Sequence, residues 1–256
     1  MTRIGISHAD IVTTHACNMN CKYCIDKFKG SSSGIVELGY VKKFLELLKE
    51  KTYKVNFAYD NNPKIEILLL GGEPTLLGSD YLIEIAKIVK SYGFEICIST
   101  NGIKKETIKN IIPFFDWVQI TCYSDSQIDF WRPYKNKINI KMAGDETLSL
   151  ERFKHFVEYT KDFARKSLTL YFKPDFELLC QDEKVLTYFD SAEWKRLGSY
   201  MYAFIDGVRI KKPIFGVTNI IDEPLIPKLY PNGTYNKTWL HEEPDEYIGE
   251  LSSMEV

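Results

Sequence analysis

Hydrophobic and polar positions along this chain follow two rhythms that take turns. Short apolar or β-rich runs at HADIVTT (8–14), KIEILLL (64–70), FEICIST (94–100), WVQITCY (117–123), KINIKMA (137–143) and LTLYFKP (168–174) predict six strands. Between most of them, VELGYVKKFLELLKE (36–50), SDYLIEIAKIVKSYG (79–93), KKETIKNIIPFF (104–115) and SLERFKHFVEYTKDFAR (149–165) carry apolar residues at helical spacing. Ser79 or Asp80 is the candidate N-cap of the second helix and Gly93 its stop. The run at 64–70 is unbroken, which suits a strand buried on both faces of a parallel sheet. Strand and helix in alternation predict βαβ units, and so an α/β fold.

The rhythm changes near residue 184. DEKVLTYFDSAEWKRLG (182–198) fits a last helix, and SYMYAFIDGVRIKKPIF (199–215) a β-hairpin turning at Asp206-Gly207. From Asp222 onward, prolines at 224, 227, 231 and 244 and many acidic residues predict an irregular extension. The expected division is a core over 1–183 and a C-terminal extension over 184–256 that covers the core and selects the substrate.

Composition narrows the class. Of 256 residues, 45% are apolar and 27% charged, and the net charge is −2. That balance argues against non-specific nucleic-acid binding, which needs a basic surface to displace counterions, but leaves room for a local basic groove. The N-terminal MTRIGISHADIV has no apolar signal core, and no apolar run approaches the ~20 residues that span a bilayer. Six unevenly clustered cysteines do not form a secreted disulfide framework; they predict metal or redox chemistry in the cytoplasm.

Three of the six, Cys17, Cys21 and Cys24, lie in HACNMNCKYC with the spacing C-x3-C-x2-C. Such a set holds zinc or an iron–sulfur cluster. Zinc would need His15 or a distant cysteine as fourth ligand, whereas three thiolates on a four-iron cluster leave one iron open to a substrate. Downstream, LLLGGEPTLL (68–77) follows a predicted strand. Gly71 and Gly72 would let backbone approach a ligand without a Cβ in the way, and Pro74 fixes the exit of the turn.

CNMNCKYC resembles the signature of the radical S-adenosylmethionine (SAM) enzymes, with Tyr23 in its aromatic slot, and Gly71-Gly72-Glu73-Pro74 resembles that family's GGEP motif. The resemblance covers roughly residues 8–175 and implies a partial (β/α)6 barrel carrying one [4Fe–4S] cluster and SAM. It makes Cys17, Cys21 and Cys24 the iron ligands and packs Tyr23 near adenine. The GGEP turn then holds the methionyl amino group mainly through backbone, with Glu73 as a buttress. The implied reaction is reductive cleavage of SAM to methionine and a 5′-deoxyadenosyl radical, which takes a hydrogen atom from a substrate. A reductant such as flavodoxin or ferredoxin is the implied partner.

Weaker candidates follow from the same resemblance. ISTNG (98–102) offers Ser99, Thr100 and Asn101 at the end of the third predicted strand. Thr121 and Arg132 fall where the peptide-modifying branch contacts the methionyl group, although Leu70 stands where that branch often has glutamine. Lys173, Pro174, Asp175 and Glu177 could face substrate or form a solvated loop. Cys97 and Cys122 read as core residues. Cys180 is a candidate hydrogen-atom donor, as in some radical epimerases. No cysteine follows it, so one cluster is the limit. The favoured substrate is a peptide or protein and the second a nucleobase or nucleotide. The reading from another class is a non-catalytic zinc or iron–sulfur module.

Overall fold

The structure, a computed structural model, describes residues 4–6, 8–21, 24, 34–54, 64–172, 178–197, 200–213 and 227–236. They fall into two compact units, one drawn from residues 1–20, 26–117 and 221–256, the other from 21–25 and 118–220. The elements of the first unit begin with β1 (Ile4–Ile6), β2 (His8–Val12), α1 (Leu38–Lys51) and β3 (Thr52–Lys54). They continue with β4 (Glu66–Leu70), a 3-10 turn at Pro74–Leu77, α2 (Ser79–Ser91), β5 (Glu95–Thr100) and α3 (Lys105–Ile111). Strand β6 (Trp117–Thr121) leads into the second unit, which holds α4 (Asp125–Trp131), β7 (Ile138–Gly144), α5 (Leu150–Tyr159), β8 (Arg165–Leu170) and α6 (Glu183–Asp190). There follow β9 (Lys195–Leu197), β10 (Tyr200–Ile205) and β11 (Val208–Pro213), and the chain then returns to the first unit as β12 (Lys228–Leu229) and β13 (Tyr235–Asn236).

In the first unit, β12, β2, β4 and β5 pair in parallel in that order, β13 adds to β12 antiparallel, and β1 and β3 form a separate parallel pair. Register aligns Ala9 with Ile67 and Ile67 with Ile96, and Ile11 with Leu69 and Leu69 with Ile98. All six are fully buried on one side of the sheet, with α2 packed on β5. Burying one such large side chain contributes roughly 1.5–3 kcal/mol over leaving it exposed. Glu66, Leu68 and Leu70 face the other way and are only half-buried. The run at 64–70, with Glu66 on its half-buried side, therefore does not mark a strand buried on both faces. Hydrophobic character alone does not report how closely each face is covered.

In the second unit β6, β7, β8 and β11 pair in parallel, and β10 and β9 extend the sheet antiparallel. The six predicted strands are all present, and each is followed by a helix. Helix α4 was not evident from the pattern because only Ile128 and Trp131 of its residues are buried, too few to show a period. Helix α3 stops at Ile111, two residues before Pro113, which has no N–H to continue the helical ladder. Helix α5 starts at a Ser149 cap accepting from the Arg152 amide and ends at Tyr159, so that Arg165 begins β8. The N-cap of α2 is Gly78, not Ser79 or Asp80. The last predicted helix is short: Asp182 caps α6 through the amides of Lys184 and Val185, and the remainder becomes β9.

The hairpin turns at Asp206 (φ 50°) and Gly207 (φ 75°), the positive-φ pair that a two-residue turn matched to strand twist requires. Of the expected C-terminal extension, 227–236 is not a cover but part of the first unit's sheet, joined at Lys228–Asp10 and Leu229–Ile11. Residues 214–226 and 237–256 lie outside the described residues. Among the described residues no helix is long and apolar enough to cross a membrane.

Candidate cofactor site

In the first unit the GGEP turn is bonded to the segment that leads into the cysteine loop. The Thr13 amide donates to Leu70 O (2.8 Å), the Gly72 amide to Thr14 O (2.8 Å), and the Glu73 amide to Ala16 O (2.7 Å). A Cβ at Gly71, where φ is +140°, would lie 2.3 Å from Thr14 O; one at Gly72 would lie 2.1 Å from Ala16 O. The glycines were expected to admit a ligand. What they admit is the chain's own backbone just before Cys17, at Thr14 for Gly71 and at Ala16 for Gly72.

Glu73 fixes the same place from the other side. Its carboxylate is buried, at 1% exposure. Oε1 accepts from the Thr75 amide (3.0 Å), the Thr75 hydroxyl (2.5 Å) and the Thr100 hydroxyl (2.6 Å), and Oε2 from the Asn101 amide (2.8 Å). A buried carboxylate is tolerable only with such partners. It caps the 3-10 turn that Pro74 opens and ties the end of β4 to the end of β5. Thr100, expected at an open mouth, is 4% exposed and spent on Glu73, while Ser99 on the other side of β5 is half-buried. The Asn101 side chain donates to Asn18 Oδ1 (2.7 Å), so the chain is held on both sides of Cys17, at Ala16 and at Asn18. The sequence reading missed Thr14, Asn18 and Thr75. Thr75 carried a usable signal, a hydroxyl two residues after a carboxylate; Asn18 carried none.

Cys17 is exposed, and its sulfur accepts from the Met19 amide (3.4 Å). In the second unit Cys24 is exposed and Cys21 half-buried; the Cys24 amide donates to Cys21 O (3.1 Å), and Cys21 Sγ lies 4.0 Å from the Tyr123 hydroxyl. None of the described cysteines is in a disulfide. Among the described residues no three His, Cys, Asp or Glu side chains stand together as a metal-binding group. The chemistry of the donor set nonetheless fits an iron–sulfur cluster: three soft thiol ligands on one short loop, with none of the three packed into the core. Tyr23 lies outside the described residues, as do Lys173, Pro174, Asp175 and Glu177.

Two candidates from the resemblance are placed differently by the structure. Arg132 was expected at a methionyl carboxylate. Its Nε and Nη2 donate to Asp129, its Nη1 to Asp162 and its Nη2 to Tyr159 O, with its guanidinium 5.2 Å above the Tyr159 ring. Binding SAM through that fork would first have to break these bonds. Hydrogen bonds from Tyr159 and Arg132 hold the Asp129 carboxyl below the usual carboxylate range. For Asp162 burial pushes upward, but Arg132 and Lys135 outweigh it. Lowered carboxyl values add stability above the unfolded range that is lost as pH falls through the folded values. Arg132→Ala should therefore melt below the wild type near neutral pH, and the gap should close in acid. A gap independent of pH in thermal melts would mean that Arg132 stabilises by packing alone.

Cys180 is the second. It is fully buried, its thiol directed at Leu148 O (3.6 Å), and burial raises its pKa. That is a packed core position, not an open mouth from which hydrogen is delivered. Cys97 and Cys122 are buried as expected, and burial pushes the Cys122 thiol up to about 12. A thiol reagent on the folded protein should modify Cys17, Cys21 and Cys24 and spare Cys97, Cys122 and Cys180 until the chain is denatured. Peptide mapping by mass spectrometry reads this directly, and early labelling of Cys180 would reopen its expected role. Thr121, 9% exposed at the end of β6, pairs with Lys141 across the sheet.

Known proteins resemble this chain in sequence and fold. The family model described as the Radical SAM superfamily matches residues 11–171, more than half of the chain. A Methanocaldococcus jannaschii protein named as a glycyl-radical enzyme activating enzyme is 33% identical over 102 residues, covering 40% of this chain and 34% of the relative. A Flammeovirga pacifica protein named an S-adenosylmethionine-dependent nucleotide dehydratase is 30% identical over 107 residues, covering 41% of this chain and 34% of the relative. The matched part thus spans about a third of either relative. A solved structure titled native anSMEcpe with bound AdoMet and Cp18Cys peptide superposes with TM-score 0.50 at 17% identity, covering 66% of this chain and 52% of the other; it supports an α/β radical SAM fold. With a family model matched from β2 to the end of β8, and the GGEP turn bonded to the leader of the cysteine loop, this chain belongs to the radical SAM superfamily.

Proposed function

We propose that this chain is an enzyme that takes a hydrogen atom from an organic substrate, using a [4Fe–4S] cluster and SAM. The observation that carries the reading is the backbone bonding of Gly72 and Glu73 to Thr14 and Ala16, which fixes the GGEP turn against the segment that leads into Cys17. In this reading Cys17, Cys21 and Cys24 hold the cluster. The backbone of Gly71 to Pro74 meets the methionyl end of SAM, and Glu73, Thr100 and Asn101 hold that backbone still. Tyr23, Ser99 and Thr121 complete the cofactor contacts. When bound, the cluster and SAM supply the 5′-deoxyadenosyl radical. An external reductant such as flavodoxin or ferredoxin delivers the electron.

The test is anaerobic reconstitution with iron and sulfide, reduction, and chromatographic detection of 5′-deoxyadenosine. Cleavage of SAM is expected. Protein that takes up a full cluster and leaves SAM intact would overturn the proposal, and colourless protein holding one zinc would support the non-catalytic module.

For the substrate, a peptide or protein is supported by the resemblance to the peptide-modifying branch, by relatives named as activating enzymes and by a structural neighbour titled with a bound peptide. A nucleotide is supported by relatives named as nucleotide dehydratases.

A further inference from the structure

We infer that Tyr123 is a positioning residue that acts through Cys21: its hydroxyl donates a hydrogen bond to the Cys21 thiolate and so makes the iron–sulfur cluster easier to reduce. This rests on the proposed function as far as Cys21 is an iron ligand. It does not rest on SAM cleavage.

Tyr123 stands 102 residues beyond Cys21 in the sequence but in the same compact unit, and its hydroxyl oxygen lies 4.0 Å from Cys21 Sγ. Both residues are half-buried, so the contact is partly withdrawn from water. The backbone fixes where the phenol starts. Strand β6 ends at Thr121 and α4 begins at Asp125, which leaves Tyr123 in the middle of the link over residues 122–124. On one side of it the Cys122 amide donates to Lys141 O (2.9 Å), continuing the bonding of β6 to β7. On the other side Gln127, in the first turn of α4, reaches back, and its Oε1 accepts from the Tyr123 amide (2.6 Å).

Between a thiol and a phenol either atom can donate. Iron ligation removes that choice. The ligand is the thiolate, which carries no proton, and the phenol O–H is then the only donor of the two. A hydrogen bond to an ionised acceptor is also shorter and stronger than one between neutral groups. Reduction adds negative charge that the sulfurs share. A donor at a ligand sulfur therefore stabilises the reduced state more than the oxidised one and raises the potential. No proton leaves the hydroxyl when the external reductant delivers its one electron. Cys17 has a donor of another kind, the Met19 amide, 3.4 Å from its Sγ. A backbone donor comes with almost any sequence. The donor at Cys21 depends on one side chain brought from far along the chain.

A redox titration of the reconstituted full chain without SAM, followed by electron paramagnetic resonance, reads the midpoint potential. Tyr123→Phe keeps the ring and removes only the hydroxyl. It should keep the wild-type iron content and shift the reduction equilibrium about tenfold toward the oxidised form, a fall of about 59 mV for a one-electron couple. Incorporating meta-fluorotyrosine in place of Tyr123 makes the hydroxyl a stronger donor and should move the potential the opposite way. A ring that only packs against the loop would give neither shift. Tyr159→Phe removes a hydroxyl elsewhere in the same unit, one bonded to Asp129 (2.8 Å), and should leave the potential where it is. A Tyr123→Phe equilibrium within about twofold of the wild type, or an equal fall in Tyr159→Phe, would overturn the inference. If Tyr123→Phe holds less iron, the fluorinated protein decides: a raised potential supports the bond and an unmoved one overturns it. Shifted potentials in a protein that leaves SAM intact would defeat the proposed function and spare the role of Tyr123. SAM cleavage with an unmoved potential would do the reverse, and protein that takes up no cluster would overturn both.

Discussion

Cys21→Ala should lose the iron chromophore and SAM cleavage together, while the fold stays intact. The three thiols of the loop lie outside the core: Cys17 and Cys24 are exposed and Cys21 is half-buried. Removing one therefore costs little packing. A site-differentiated cluster, however, has only three protein ligands, and thiolates are its only strong ones. With two left, iron should not be retained through desalting. The change should read as a fall in iron from about four per chain to a trace, and as 5′-deoxyadenosine below detection, against unchanged far-ultraviolet circular dichroism. Cys97→Ala, at a fully buried strand position, is the contrast: it should keep iron and lower the melting temperature. A Cys21→Ala protein that keeps cluster and cleavage would remove the loop from the mechanism.

Gly72→Val should be nearly as damaging, and for a reason outside SAM itself. A Cβ there would stand 2.1 Å from Ala16 O, 2.5 Å from Ala16 C and 2.7 Å from His15 O. All three are backbone atoms, so no side-chain rotation relieves the clash. The segments must part, breaking the bonds from Gly72 to Thr14 and from Glu73 to Ala16. The Glu73 amide, in a buried residue, would cost about 1–3 kcal/mol if left unpaired, and that of half-buried Gly72 less. Iron content, SAM affinity and melting temperature should fall together. Had the glycine only made room for SAM, affinity alone would fall and iron would stay near normal. Measuring iron and affinity on one preparation separates the two roles. Gly39→Ala is the control, since nothing lies within 4 Å of its added Cβ and alanine favours the helix there.

The contrast between those two positions shows what was legible in the residues. The thiol spacing and the strand–helix alternation are local patterns, set by neighbours a few positions apart. They specify six strands, the hairpin at Asp206-Gly207 and the three-thiol loop. The role of Gly72 was not local, because the atoms it must clear belong to residues 15 and 16. Glu73 was legible as a buttress but not in its partners, which lie 27 and 28 residues away at Thr100 and Asn101. Arg132 and Cys180 were placed by analogy of position. Arg132 has a partner at Asp162, 30 residues on, and Cys180 is sealed against Leu148.

By itself, then, the sequence determined the α/β class, the three-thiol loop and the glycine turn. Hydrophobic period, cysteine spacing and positive-φ turns are written in consecutive residues. Only the tertiary structure decided that the turn clasps the thiol loop's leader, and that residues 227–236 join the sheet beside β2. It also decided that Lys141, Arg209 and Lys211 lie on one side of the second unit's sheet and the buried Ile140, Leu168 and Ile210 on the other. Each of these depends on strand register, which aligns residues far apart in the chain, and a slip of one residue would turn every side chain of a strand to the other face.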